Sequence, residues 1–272
     1  MIPFTKAHAC GNDFLIVSEA AASHRDRAEL ARRLCARNTG VGADGVEFFR
    51  WTGTRSGHIH LRNADGSAAE ISGNGTRTVA AWMAYERGLE PGAELEIETD
   101  AGPRLCRVDA IAAENGFSVE VTAGMGKPGF VSRSVTLDDQ WTVAGVEVTT
   151  GNPHFVVVVD NAEFTVFGRP WREVGAVICR HPAFPHQTNV EFVRIVSGKE
   201  IEIRIFERGV GPTTSSGTGS SAAATAAIAL HGCFSPLRVV APGGGQTVAW
   251  EGPDTELRLT GPAALIARGE AF

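Results

Sequence analysis

The sequence predicts an α/β (α+β) chain of two pseudo-symmetric lobes made by internal duplication. Three observations carry this prediction. "ISGNGTRTVAAWM" (71–83) and "SSGTGSSAAATAAI" (215–228) each place Ser-Gly-x-Gly before an apolar, Ala-rich run, with Ser72 and Ser216 144 positions apart. "GNDFLIV" (11–17) and "GNPHFVVVVD" (151–160) each place a Gly-Asn turn before a β-prone run, with their glycines 140 positions apart. Both offsets are close to half of the 272 residues. One order is therefore written twice: Gly-Asn turn, strand, further elements, strand, serine turn, helix.

Each element follows from a local pattern. The run 12–17 is a strand behind its Gly-Asn turn, and 28–37 ("AELARRLCAR") is a helix with Leu30, Ala31 and Leu34 on one face, stopped at Asn38-Thr39-Gly40. "HIHLRNADG" (58–66) alternates as a strand and ends in a Gly-containing turn before the first serine-led helix. Residues 104–124 read as a hairpin around Asn115-Gly116, because both residues tolerate positive φ. "GNPHFVVVVD" repeats the first strand, "IEIRIFERGVG" (201–211) repeats the alternating strand and turn, and the second serine-led helix follows. The tail, 255–272, reads as one or two last strands. The expected lobes are 1–117 with 260–272, and 118–259, with the hairpin as junction. No low-complexity linker separates them, so the functional site is expected in a cleft between them.

Composition removes several functions. The net charge is −6 and no basic cluster interrupts it, which argues against nucleic-acid binding. The longest strictly apolar run, 155–159, is far too short to cross a bilayer, so no membrane partner is expected. The N-terminus shows no secretory pattern, which gives a cytoplasmic expectation. Five cysteines (Cys10, Cys35, Cys106, Cys179, Cys233) stand singly with no C-x-x-C, and the eight histidines form no H-E-x-x-H, so neither disulfides nor a metal are expected. None of the three lysines (Lys6, Lys127, Lys199) lies by a phosphate-binding loop or invites a Schiff base, so no cofactor is expected.

The serine turns carry the chemistry. A helix N-terminus presents unsatisfied N–H groups and partial positive charge, and the glycines at 73, 75, 217 and 219 let a small anion approach the backbone. Two such turns directed at one carboxylate would set Ser72 and Ser216 beside the carbon that bears it. That arrangement suits removal of a proton from one face of a carbon and its return on the other. Serine is also a favoured N-cap, and the two roles are compatible. Asn63 and Glu207-Arg208 close alternating strands ahead of the two turns, and His154 opens an apolar strand.

"FTKAHACGNDF", "RNADGSAAEISGNGTR", "GNPHF", "TNVEFV" and "ERGVGPTTSSGTGSSAAA" resemble, in order and along nearly the whole chain, the diaminopimelate epimerases, amino-acid epimerases that need no pyridoxal phosphate. The tail "LTGPA" resembles that family's closing strand. The resemblance implies two α/β lobes, each a mixed, mostly antiparallel sheet wrapped around a central helix, and a homodimer acting on diaminopimelate in lysine and peptidoglycan-precursor synthesis. It implies that Asn12, Asn63, Asn152, Asn189 and Arg208, with Glu207, hold the distal amino and carboxylate groups. It implies that Gly73-Asn74 and Gly217-Thr218 cradle the reacting carboxylate, and that His154 and Glu207 lie near the two catalytic groups. A site built to pair a second zwitterionic end rejects shorter amino acids, whose binding leaves its polar groups unmatched.

The departure is chemical. The family's catalytic residues are cysteines, one in each turn, and both are serine here. A thiol at a helix N-terminus supplies a thiolate near neutral pH, whereas a serine hydroxyl becomes a base only when a neighbour takes its proton. Three readings follow. Two replacements made on purpose are one, against which Ser220, Ser221 and Thr78 suggest drifted surroundings. A natural serine branch is the second, with His154 relaying through Ser72 and Glu207 through Ser216. A catalytically silent binding protein that keeps the cradle is the third. A related cofactor-independent racemase with another substrate is the further alternative, which retention of Asn63, Asn152, Asn189 and Arg208 disfavours.

Overall fold

The computed structural model describes residues 1–69, 72–114, 116–138 and 141–272. They form two compact units, Met1–Gly124 with Thr260–Phe272, and Met125–Leu259. The first holds β1 (Ile2–Ala9), β2 (Asn12–Ser18), a 3-10 turn at Ala20–Ala22, α1 (Arg27–Cys35), β3 (Gly45–Trp51), β4 (Ser56–Asn63), β5 (Ala68–Ala69), α2 (Gly73–Arg87), β6 (Glu94–Thr99), β7 (Gly102–Ala112) and β8 (Phe117–Gly124). The second holds β9 (Gly129–Asp138), β10 (Trp141–Thr149), β11 (Pro153–Val159), β12 (Thr165–Val166), β13 (Arg169–Pro170), α3 (Trp171–Cys179), β14 (Asn189–Ser197), β15 (Glu200–Glu207), β16 (Gly211–Thr213), α4 (Gly217–Leu230), β17 (Leu237–Ala241) and β18 (Gly244–Ala249). β19 (Arg258–Ala271) carries the chain into the first unit.

The duplication is visible in strand pairing. Along β1-β2-β3-β4-β6-β7 the pairs run antiparallel, parallel, antiparallel, parallel, antiparallel. Along β10-β11-β14-β15-β17-β18 they run in the same order. A parallel pair needs a crossover, usually a helix, so each half needs two. α1 joins β2 to β3 and α2 joins β4 to β6, as α3 joins β11 to β14 and α4 joins β15 to β17. In the first unit, β8 pairs with β7 and β19, and β19 with β1, which closes an eight-stranded ring. A closed ring leaves no exposed sheet edge.

The sequence of α2 and α4 explains their place. α2 is buried at every residue from Gly73 to Ala81, and α4 at every residue from Gly217 to Ala227. Small side chains let strands approach from many directions: α2 contacts β1, β2, β6, β7 and β8, and α4 contacts β10, β11, β14, β15, β17 and β18. Val79, Ala80 and Met83 pack with Leu95, Ile97, Val108 and Val121 in the first core; Ala223 and Ala227 pack with Val193, Ile203, Leu237 and Trp250 in the second. α1 and α3 are one-sided instead, and each seals its own cluster, Leu30 and Leu34 with Phe48, and Val174 and Ile178 with Phe192.

One boundary differs from expectation. The junction falls after Gly124 and not at 117, because β8 completes the ladder with β7, with Val108 opposite Val121. The hairpin is thus internal to the first unit; its turn residue Asn115 lies outside the described residues. Among the described residues, no helix is long and apolar enough to cross a membrane.

Candidate active site

In the first unit, Ser72 is the N-cap of α2, with φ −136° and ψ 118°. Its Oγ accepts the Gly75 N–H at 3.0 Å, and its carbonyl accepts from the Thr76 N–H at 2.8 Å. Asn74, fully buried, donates from Nδ2 to Asn12 Oδ1 at 3.1 Å, tying the serine turn to the Gly-Asn turn that opens β2. Asn12 donates in turn to Asp44 Oδ2 at 2.7 Å. Arg37 bridges Asp44 and Asp13, and Lys6 pairs with Asp13 at 3.0 Å. Burial opposes ionisation of Asp13, but hydrogen bonds from Arg37 and Lys6 outweigh it and hold the carboxyl below its ordinary value. The buried Arg77 guanidinium donates to Gly73 O and to Asn74 Oδ1, at 3.2 and 2.7 Å, which fixes the peptide that opens the helix. Asn63 ends β4 opposite Gly45, and its amide is committed to Ser67 Oγ at 3.0 Å, apart from this network.

The second unit repeats the turn with other side chains. Ser216 caps α4 with φ −147° and ψ 127°, and its Oγ accepts the Gly219 N–H at 3.1 Å. Thr218 Oγ1 stands 3.4 Å from Ser216 Oγ and accepts from Asn152 Nδ2 at 3.4 Å, the counterpart of the Asn74–Asn12 tie. Asn152 Oδ1 meets His154 Nε2 at 2.9 Å, and His154 Nδ1 meets Glu191 Oε1 at 2.8 Å. Ser216, Thr218, Asn152, His154 and Glu191 therefore form one polar chain, with both nitrogens of the fully buried imidazole engaged. Asn189 joins the substrate-binding candidates: it donates to Pro153 O at 3.0 Å and accepts the Arg208 N–H at 2.9 Å. Arg208 Nη1 rests on His186 O at 3.0 Å, and Glu207 closes β15 opposite Gly211. Gly217 O accepts from Ser221 Oγ at 2.9 Å, where the first unit uses Arg77.

Sequence reasoning passed over Glu47 and Glu191. Both are fully buried, on β3 and β14, and each lies against the second glycine of its serine turn. A Cβ on Gly75 would overlap Glu47 Oε1, and one on Gly219 would come within 2.8 Å of Glu191 Oε1. Neither Glu47 oxygen, and not Glu191 Oε2, has a hydrogen-bond partner among the described residues. Burial pushes Glu47 up to about 8; burial also raises Glu191, and the His154 imidazole offsets only part of that. The signal was present: "VEF" recurs at 46–48 and 190–192, at the same 144-residue offset as the serines.

The remaining acidic and sulfur groups contribute less. Glu19, His58 and His60 bring ligand atoms within 4.8 Å of one another, but Glu19 already pairs with Arg27 and Arg50, whose charges oppose a bound cation. All five cysteines are buried, and none forms a disulfide. Burial pushes Cys35 and Cys106 up to about 12 and raises Cys179 and Cys233, so none of these four is a thiolate at neutral pH.

Solved structures share this fold. A phenazine biosynthesis protein of the PhzF family from Bacillus anthracis superposes with a TM-score of 0.72 at 18% identity, covering 100% of this chain and 98% of its own. A hydroxyproline epimerase from Agrobacterium vitis superposes with a TM-score of 0.74 at 16% identity, covering 99% and 91%. The architecture is thus that of the proline-racemase-like and PhzF-like proteins. The sequence is more specific. The profile of the family described as diaminopimelate epimerase matches residues 4–131 and 146–266. The diaminopimelate epimerase of Moorella thermoacetica is 36% identical over 98% of each chain, and that of Corynebacterium glutamicum 37% identical over 99% of this chain and 98% of its own. The chain belongs to the diaminopimelate epimerase family.

Proposed function

We propose that this chain interconverts LL- and meso-2,6-diaminopimelate by cofactor-independent proton transfer at one α-carbon, in lysine and peptidoglycan-precursor synthesis. One observation supports the reading above the others: the chain caps two buried helices with serine in one repeated frame, each Oγ receiving a backbone N–H. A donor aimed at each oxygen stabilises negative charge there, as does the positive end of the helix. On this reading Ser72 and Ser216 serve opposite faces of the α-carbon. The Gly73-Asn74 and Gly217-Thr218 peptides hold its carboxylate, and His154 and Glu207 assist the serines. Asn12, Asn63, Asn152, Asn189, Glu207 and Arg208 hold the distal zwitterion. The protein works in the cytoplasm as a homodimer, which light scattering after size exclusion tests.

The deciding experiment is solvent exchange. The protein is incubated with LL-diaminopimelate in D₂O, and loss of the α-proton is followed by NMR. Exchange with conversion to the meso form supports the reading. Silence in this chain, with activity restored by Ser72→Cys and Ser216→Cys together, identifies a binding form that has kept the cradle and lost its bases. Thermal stabilisation by diaminopimelate without turnover has the same meaning. Silence in both chains rejects diaminopimelate as the substrate.

A further inference from the structure

A serine that removes an α-hydrogen must hand on its own hydroxyl proton, and this structure offers a receiver under each turn. We propose that Glu47 and Glu191 are proton-holding partners of Ser72 and Ser216, one carboxyl per half, letting a hydroxyl do the work of a thiol. The proposal rests on the two-serine reading above.

The positions are matched. Glu47 sits in β3 opposite Ile16 of β2, and Glu191 in β14 opposite Val156 of β11. Each faces its serine across the place where a glycine lacks a side chain. The missing Cβ of Gly75 lies 3.2 Å from Ser72 Cβ, at the point that Glu47 Oε1 fills. The missing Cβ of Gly219 lies 3.2 Å from Ser216 Oγ and 2.8 Å from Glu191 Oε1. Among the described residues no hydrogen bond joins either serine to its carboxyl, so a hydroxyl proton turned that way passes to the carboxylate through one water. Burying a carboxyl with idle oxygens is costly, so two such groups at equivalent positions need an explanation, and a proton relay supplies one.

The proton count closes. Ser72 Oγ forms a bond to the α-hydrogen as its own O–H proton passes to the Glu47 carboxylate, leaving the electron pair of the broken C–H bond on the α-carbon. Ser216 then gives its hydroxyl proton to the opposite face, and protonated Glu191 restores it. The reverse reaction exchanges the roles. One proton enters and one leaves, and no co-reactant is consumed.

The neighbours of the two carboxyls differ. Around Glu47, the paired residues Ile16 and Leu61 and the facing Gly75 carry no charge, and the Arg77 guanidinium on α2 donates to Gly73 O and Asn74 Oδ1. Around Glu191, Val156, Ile205 and Gly219 are uncharged and His154 is the facing titratable group. Burial leaves Glu47 near 8, about as basic as an ordinary thiol, so a serine backed by it matches the proton affinity of the cysteine it replaces.

The test is a cycle. α-Hydrogen exchange from each stereoisomer is measured against pH for Glu47→Gln and Glu191→Gln, in the serine chain and in the Ser72→Cys, Ser216→Cys chain. The expected loss is about 100-fold in the serine chain, with the limb of the pH profile that the replaced carboxyl sets (acidic where it accepts the proton, alkaline where it donates) removed, and at least tenfold smaller in the cysteine chain. Glu47→Asp, which keeps the acid, is expected to recover part of the rate. Equal losses in both chains would reveal a structural role and overturn the proposal, as would no loss in the serine chain. A silent serine chain with an active cysteine chain overturns the proposal alone; silence in both removes the functional reading with it.

Discussion

The two serine turns are the same piece of backbone in different surroundings. Each has an N-cap serine, a backbone N–H on its oxygen, a tie to a Gly-Asn turn, and a buried glutamate behind the second glycine. In the second unit Glu191 meets His154, which stands opposite Asn189 in β11. In the first unit the equivalent place in β2, opposite Gly45, is Phe14, and Glu47 is left in apolar surroundings. The duplicated frame kept the geometry of the turn while the side chain beside its carboxyl diverged, Phe14 in one half and His154 in the other. A symmetric scaffold thus carries two buried carboxyls in unequal surroundings.

The sharpest way to expose that inequality is pH. Glu47 is raised by burial from 4.5 to about 8 in the folded chain. Below the unfolded value both states hold the proton, and the group costs nothing. As pH rises from 4.5 toward 8 the unfolded chain ionises and the folded chain does not, so stability falls across that window and levels off above it. The loss is roughly 5 kcal/mol at about 1.4 kcal/mol per pH unit. Urea unfolding of the protein and of Glu47→Gln at a series of pH values checks this. The variant is expected to lack the decline, and an unchanged slope removes the claim that Glu47 is buried as an acid.

Removing His154 should make the second half resemble the first. His154→Ala deletes the bonds to Glu191 and Asn152 and leaves Glu191 without its imidazole. The expected cost is about 3 kcal/mol, in the range for breaking a buried, hydrogen-bonded pair. The decline of stability with pH is also expected to steepen, since Glu191 then keeps its proton to higher pH. A cost under about 1 kcal/mol would mean that the imidazole is not what satisfies Glu191.

Much of this was legible in the sequence, for physical reasons. Serine turns at helix starts are local signals, and both appear as N-caps. Strands with strict alternation, such as 58–63 and 201–207, were read from periodicity alone. What escaped was non-local. Glu47 and Glu191 lie in apolar runs, where a charged residue reads as the solvent face of a strand, and it takes the glycine-bearing start of a distant helix to cover each of them. The His154–Glu191 contact depends on β11 and β14 pairing in parallel across the crossover through α3. The ring closure by β8 and β19 joins distant stretches, so the hairpin was mistaken for a boundary.

The glycines behind the serines give a smaller contrast. Gly75→Ala would drive a methyl into Glu47 Oε1, whereas Gly219→Ala meets Glu191 Oε1 at 2.8 Å, a milder conflict. Overpacking of this kind costs about 1–3 kcal/mol, and the expected order is Gly75→Ala above Gly219→Ala by denaturant midpoint. The reverse order would mean that the Glu47 carboxyl moves aside more easily than the Glu191 carboxyl, which His154 anchors.

The smallest effect separates the outer helices. α1 starts from Asp26, whose carboxylate accepts the N–H groups of Ala28 and Glu29 at 2.8 and 3.3 Å. α3 starts from Pro170, which offers no side-chain cap. A lost aspartate cap costs about 1 kcal/mol, so Asp26→Ala should lower stability by that amount, and Pro170→Ala should remove no cap bond. α1 therefore leans on its cap where α3 leans on the packing of Trp171, Val174 and Ile178. If Asp26→Ala is neutral in chemical denaturation, α1 too is held by its apolar face, and the two halves are alike at their periphery as well as at their serine turns.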